Sequence, residues 1–468
     1  MSKGKLTRRA FLASTTTSVV LAGCATTKTN TAEVVPGKKS PNEMVNVAAI
    51  GGGGKGKTDF MSCHKTGKVN VVAIADVDWK RAEEGFYLQP NAKQYKDFRK
   101  MLEEMPEIDA CTISTPDHTH AVAAYMAMSM GKHVYVQKPL THTIAEARLL
   151  ERVALDNPNL VTQMGNQGHC QDGIRDMCEM IWSGAIGQVK ECHVWTNRPI
   201  WPQGHPAWLT EKPIPADLDW DLWLGPAAMR PFGGYYTPQD KTGYLPFAWR
   251  GWWEYGCGAI GDMACHIMDA PCWALKLYEA PTFTVTTEMQ EGLSELSGPM
   301  KSVTRFEFPA RGDMGPVTLY WRDGGMNPDL PEGIPAGTVL GDDGNNGSIF
   351  IGTDGVATCG EYAGNPRLLP DDRMASYTKP AQTLERVPGD SDMQPYTNWI
   401  DSILAGKQAF SNFAYASPLT QIANFGNIAL RAGGGPLEWD AVNGVITNNK
   451  EANALLTKEY RKGWELPC

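Results

Sequence analysis

From residue 45 onward, short apolar runs alternate with stretches whose apolar residues recur at helical spacing. VNVAAI, VNVVAIA, IDACTI, HVYV and LVTQM read as strands. Short, mostly apolar runs bounded by turn residues suit a sheet covered on both faces. YKDFRKMLEE, AVAAYMAMSM and TIAEARLLERVALDN read as helices between them, with Gly131 closing the second. This alternation predicts a parallel, doubly wound sheet over residues 44–165. In such sheets the working side chains stand at the carboxyl ends of the strands. Thr115, Pro116, His118, His120, Gln137, Lys138, Asn166 and His169 all fall there.

After residue 166 the pattern changes. VKECHVWTN, PTFTVTTE, SVTRFEFPA, VTLYWRDG and GSIFIGTDGVATCGEY predict a second, mainly antiparallel open sheet. Residues 396–405 and 415–432 read as helices that pack across the two halves. The fold class is therefore α/β: a Rossmann domain at 44–165, an α/β domain at 166–440, and a tail segment at 441–468.

The 468 residues suffice for two domains and a large core. A net charge of −9, with no basic block past the first residues, excludes nucleic acid as a partner. The eleven cysteines contain no Cys-x-x-Cys pair, so zinc spacing is absent and no metal site is expected. The ten cysteines besides Cys24 are expected to be mostly free and buried.

The glycines narrow the chemistry. Gly51, Gly53 and Gly56 fit G-x-G-x-x-G directly after the first strand, with Gly54 and Lys55 inside the turn. Such a turn lets a backbone approach a pyrophosphate, and the following helix N-terminus attracts phosphates. Asp76 ends the next strand, twenty residues after Gly56. An acid there takes the ribose hydroxyls of NAD and repels the extra phosphate of NADP. Lys80 and Arg81 lie close by, so NADP stays open as the lesser alternative.

The order of a glycine loop, IAD, TPDHTH, QKPLTHT and GAIGDMACH resembles the Gfo/Idh/MocA oxidoreductases, the glucose–fructose oxidoreductase and inositol dehydrogenase family. The resemblance covers nearly all of the chain after residue 44. It implies that Lys138 faces substrate and cofactor, followed by a frequently cis bond to Pro139. It also implies that Asp262 and His266 meet that lysine over the substrate. Four residues apart on a helix, those two share one face. The family's strand-end motif is usually Glu-Lys-Pro; this chain has Gln137, which keeps an amide and loses a charge. Moving hydride from a carbinol carbon to NAD requires removal of the hydroxyl proton. His266 is the expected base, and Lys138 polarises the developing oxyanion or relays the proton.

Residues 195–255 hold eight of the 15 tryptophans. Aromatic faces there can stack on sugars or can simply pack a loop or subunit interface. His169, Arg198, Trp249, Arg250, Trp252 and Tyr255 are the substrate-binding candidates.

The N-terminus reads as an address. Arg8-Arg9 followed by Phe11-Leu12 resembles a twin-arginine export signal, and LAGC ending at Cys24 resembles a lipoprotein cleavage box. Residues 1–24 are thus a signal and 25–43 a tether. The expected location is periplasmic or anchored to a bacterial membrane through a lipid on Cys24. An exported dehydrogenase has no exchanging NAD pool, so the cofactor should be tightly held and recycled in place. The reaction is then oxidoreduction of a sugar or glycoside. Its alternative is redox-neutral, NAD-dependent glycoside cleavage, and a second alternative is a non-catalytic sugar- or cofactor-binding protein. A homo-oligomer, dimer or tetramer, is expected through the second sheet.

Overall fold

The computed structural model describes residues 44–468. Arg8, Arg9, Cys24 and the tether at 25–43 lie outside the described residues.

Six parallel strands form the first sheet: β1 (Val45–Ile50), β2 (Val69–Ala75), β3 (Lys93–Tyr95), β4 (Ala110–Ile113), β5 (His133–Val136) and β6 (Thr162–Met164). Their order is β3-β2-β1-β4-β5-β6, with the chain crossing from one edge to the middle between β3 and β4. Helices α1 (Lys55–Lys65), α2 (Trp79–Leu88), α3 (Phe98–Glu104), α4 (Asp117–Ser129) and α5 (Ile144–Asp156) connect the strands. The two-residue period of a strand explains the burial. Val45, Val47, Ala49 and Tyr135 point to one face, where Phe60 of α1 packs. Ala48, Ile50, Val134 and Val136 point to the other.

The second half supplies α6 (Asp172–Trp182), β7 (Val189–Trp195), α7 (Trp220–Leu224), α8 (Gly258–Ile267) and α9 (Asp269–Ala274). It continues with β8 (Thr282–Glu291), β9 (Lys301–Phe308), β10 (Val317–Arg322), β11 (Gly347–Gly352), β12 (Val356–Cys359) and β13 (Arg367–Leu369). Helices α10 (Asp371–Ser376), α11 (Gln394–Ala405) and α12 (Phe413–Arg431) precede the hairpin of β14 (Leu437–Asp440) and β15 (Val445–Ile446). These nine strands form one sheet in the order β13-β12-β11-β7-β10-β9-β8-β14-β15. Every pairing in it is antiparallel except β7 with β10. The hairpin carries this sheet past residue 440.

The late helices close both halves into one body. Tyr396, Trp399 and Ile400 of α11 cover the Tyr135 face of the parallel sheet. Helix α12 is buried along nearly its whole length and shares the main core with α5, α8 and β8. The ten described cysteines are free, and all but Cys468 are buried.

Candidate active site

Two loops present the reactive groups. The first follows β5, where a cis bond joins Lys138 to Pro139. A capping box fixes its far end: Glu146 N donates to Thr143 Oγ1, and Thr143 N donates to Glu146 Oε2 at 2.9 Å. The second precedes α8, which brings Asp262 and His266 to the same cavity. The Lys138 ammonium donates to both the carbonyl and the Oδ1 of Asp262, each at 2.8 Å. Arg250 Nε donates to that same Oδ1 at 2.9 Å, and its guanidinium lies 4.3 Å from the ring centres of both Phe247 and Trp249. Both side chains of the Lys138–Asp262 pair are about nine-tenths buried.

Burial alone would raise the Asp262 pKa, but Lys138 and Arg250 outweigh it and hold the carboxyl well below the usual carboxylate range. Burial, aided by the Lys138 charge, pushes His266 well below the ordinary imidazole value. His266 makes no hydrogen bond to Asp262, and its buried Nδ1 has no hydrogen-bond partner among the described residues. Tyr362 meets the imidazole edge to face at 4.8 Å. The helical spacing therefore brought Asp262 and His266 together as expected, but Asp262 orients Lys138 and Arg250 rather than the imidazole.

The cavity measures about 540 Å³ and runs from this cluster to the glycine turn. Gly51 has φ of +98°, and a Cβ on Gly56 would stand 2.1 Å from the Gly51 carbonyl oxygen. Only glycine at 56 lets α1 start this close to the turn. Asp76 Oδ2 accepts from Gly52 N at 2.7 Å and Gly53 N at 3.1 Å, while Oδ1 accepts from Asp78 N at 2.9 Å. Burial raises this carboxyl's pKa, partly offset by those amides. Three amides do not exhaust a carboxylate's lone pairs, so an acceptor remains for a ribose hydroxyl. A cradle too tight for a side chain, an acid at the end of β2 and a lysine at the far end fit a nicotinamide dinucleotide.

Of the expected residues, Gly51, Gly53, Lys55, Asp76, Thr115, Pro116, Gln137, Lys138, Arg198, Trp249, Arg250, Asp262 and His266 line this cavity. Gly56 acts behind it, through packing. Gly54 does not line it; the Arg81 guanidinium lies across that position. Six further candidates are corrected. His118 is buried against the Tyr255 and Trp223 carbonyls, and His120 against those of Thr115 and Pro139. Asn166 and His169 both bond the buried Asp269. Trp252 and Tyr255 sit inside an aromatic cluster with Trp220, Trp223 and Tyr244. Each has polar or apolar protein partners that the linear sequence could not reveal, and the tryptophan-rich stretch mostly packs on itself.

Sequence reasoning missed Asp117, Glu361 and Tyr362, which line the cavity. Asp117 lay inside the quoted TPDHTH. Glu361 and Tyr362 come from the loop between β12 and β13, where Tyr362 has a left-handed backbone (φ 57°) and no spacing marks it. The tryptophan-rich stretch also reaches the nucleotide end. Leu218 bridges to Asp78, Asp219 N donates to Val77 O at 2.8 Å, and Tyr235 Oη donates to Asp78 Oδ2 at 2.7 Å.

This strand order, cradle and terminal acid define a doubly wound dinucleotide-binding protein with a second domain completing the site. Residues 45–164 match the description "oxidoreductase family, NAD-binding Rossmann fold", and residues 188–306 match "oxidoreductase family, C-terminal alpha/beta domain". Together these spans are just over half of the chain, which belongs to the Gfo/Idh/MocA oxidoreductase family. The chain is 31% identical over 162 residues to an inositol 2-dehydrogenase/D-chiro-inositol 3-dehydrogenase of Lacticaseibacillus casei, covering 33% of this chain and 46% of that relative. It is 29% identical over 207 residues to a "glycosyl hydrolase family 109 protein" of Shewanella pealeana, covering 40% of this chain and 44% of the relative. Both matches thus span less than half of the relative. Among solved structures, a levoglucosan dehydrogenase in complex with NADH and levoglucosan aligns with a TM-score of 0.55 at 17% identity, covering 84% of this chain and 98% of the other. That likeness is one of fold.

Proposed function

We propose that this protein is an NAD-dependent oxidoreductase acting at a carbinol carbon of a sugar or polyol, with its cofactor held through the catalytic cycle. The observation that carries the reading is the Lys138–Asp262 pair, contributed by the two halves of the chain and set in one cavity with the glycine cradle. Gly51, Gly53 and Asp76 would hold the dinucleotide, with Gly56 shaping the turn. When bound, NAD supplies a hydride acceptor or donor.

The chain's own groups handle the proton and the oxygen. Lys138 spends two of its three N–H donors on Asp262, which leaves one for a substrate oxygen. A cation there stabilises negative charge developing on that oxygen. His266, kept neutral by burial and by Lys138, can accept the hydroxyl proton and is disfavoured from keeping it. Arg250, set against two rings and tied to Asp262, and Arg198, whose guanidinium bonds only the neighbouring Asn197 side chain among the described residues, supply donors for further hydroxyls.

The retained cofactor is supported by the tryptophan-rich stretch pinned to Asp78 beside the nucleotide end, and by the export-like N-terminus. Redox-neutral glycoside cleavage is the second reading, favoured by the similarity to the Shewanella protein. The test is to denature the purified mature protein and identify any released nucleotide by mass spectrometry. Stoichiometric NAD(H), followed by sugar-dependent change in its absorbance, is the expected result. Aglycone release without net NADH would select the second reading. A protein that carries no nucleotide and binds none would overturn both.

A further inference from the structure

Beneath the strand end that carries Lys138 lies a carboxylate with no place in the reaction just described. Asp59, on the first turns of α1, is fully buried. Its Oδ1 accepts from Lys55 Nζ at 2.5 Å and Tyr396 Oη at 2.7 Å. Its Oδ2 accepts from Ser114 Oγ at 2.7 Å and Gln137 Nε2 at 2.9 Å. Lys55 Nζ also donates to Tyr396 Oη at 2.8 Å. All four lone-pair directions of the carboxylate are used.

The four donors come from four parts of the chain. Lys55 opens α1 at the glycine turn, Ser114 follows β4, Gln137 follows β5, and Tyr396 belongs to α11. Tyr396 is itself held flat against Tyr135 of β5, ring centres 5.4 Å apart. Gly165 makes room for the Gln137 amide: a Cβ there would stand 2.7 Å from Nε2. Three of these donors, Lys55, Ser114 and Gln137, also line the cofactor cavity, and Gln137 immediately precedes Lys138.

We propose that Asp59 is a positioning residue, supplying from α1 the negative charge that pins the Lys138 strand end to the glycine turn and thereby requiring a neutral donor at position 137. The inference rests on the dinucleotide reading of the cavity for its link to cofactor binding, but not for the electrostatics. A satisfied buried carboxylate cannot take a second carboxylate in place of a donor. Two such groups in contact cannot both ionise, so one keeps a proton until the pH forces it off.

The test compares wild type, Gln137→Glu, Asp59→Asn and the Gln137→Glu/Asp59→Asn double variant. The readouts are the urea midpoint of the nucleotide-free protein and NADH affinity by nicotinamide fluorescence, each across pH 5–9. Gln137→Glu is expected to fall progressively behind wild type as pH rises, with NADH affinity about 10-fold or more weaker at the alkaline end. The double variant, which swaps the charge and the amide, should regain most of both and lose the added pH dependence. Should Gln137→Glu fail to fold, recovery of folding in the double variant carries the same meaning. A Gln137→Glu protein with the wild-type pH profile, or a double variant no better than the worse single, overturns the proposal. If wild type binds no NADH, the dinucleotide reading fails, while the urea series still decides the role of Asp59.

Discussion

Replacing Asp262 with asparagine tests the centre of the site. The substitution keeps shape and removes the charge that both Lys138 and Arg250 address, at 2.8 and 2.9 Å. Breaking a buried pair by neutralising one member costs about 3–5 kcal/mol, because the remaining charge is left uncompensated. Here two cations are left facing one another, which places the expected loss toward the upper end of that range. A globular protein holds about 5–15 kcal/mol in total, so the variant should lose about a third or more of its stability. The pH dependence has a definite sign. The Asp262 pKa is depressed in the folded state, so its contribution is fully present above the unfolded value of about 3.9 and is lost as pH falls through the lower folded value. The gap between wild type and Asp262→Asn, measured by urea unfolding, should therefore be constant from neutral pH to about pH 5 and narrow only in stronger acid. Turnover should fall by about 10²-fold or more, since Lys138 loses a charged anchor and a displacement near 1 Å has that effect. An unchanged urea midpoint at pH 7 together with unchanged turnover would refute the reasoning.

Gly56→Ala should abolish NADH binding by fluorescence titration, because its Cβ would sit 2.1 Å from the Gly51 carbonyl oxygen and push the turn open. Tyr235→Phe removes the hydroxyl that bonds Asp78 at 2.7 Å, and should leave less NAD(H) on the purified protein after dialysis than wild type retains. His142 donates Nε2–H to the Trp253 carbonyl while Lys458 donates to its Nδ1, so it is held neutral, its pKa driven down by burial and then by Lys458. The unfolded chain takes up a proton at this site below about pH 6.5, so stability should rise with pH up to that point. His142→Gln should remove about 1.4 kcal/mol per pH unit from that slope in urea unfolding, and an unaltered slope would contradict the assignment.

Five of the six parallel strands were legible because they are largely buried on both faces and so read as apolar runs; the edge strand β3, with the sequence KQY and largely exposed, carries no such run and was missed. The glycine turn and Asp76 were legible because backbone geometry restricts those positions to particular residue types. Lys138, Asp262 and His266 followed from motif and helical spacing, and they share the cavity. Polar residues at the strand ends misled, however. His118, His120, Asn166 and His169 have the composition of a binding site, yet each satisfies a buried carbonyl or carboxylate, from a distant part of the chain for all but His120. Sequence spacing cannot distinguish a histidine that meets a ligand from one that meets a carbonyl 137 residues away, as His118 meets Tyr255. Trp252 and Tyr255 failed for a related reason: a dense aromatic stretch buries most of its own surface. Asp59 could not be read at all, since its donors lie 4, 55, 78 and 337 residues away.

The coverage of the parallel sheet by α11 bears on how the protein is made. The face built from Val45, Val47, Ala49 and Tyr135 is sealed by Tyr396, Trp399 and Ile400, about 230 residues after the last strand of that sheet. During synthesis the nucleotide half emerges first and must wait, with that greasy face uncovered, until most of the second half has left the ribosome. Its first compact form is therefore a sticky, unfinished one that invites chaperones. An expressed fragment ending near residue 165 should aggregate rather than serve as a free-standing nucleotide-binding module.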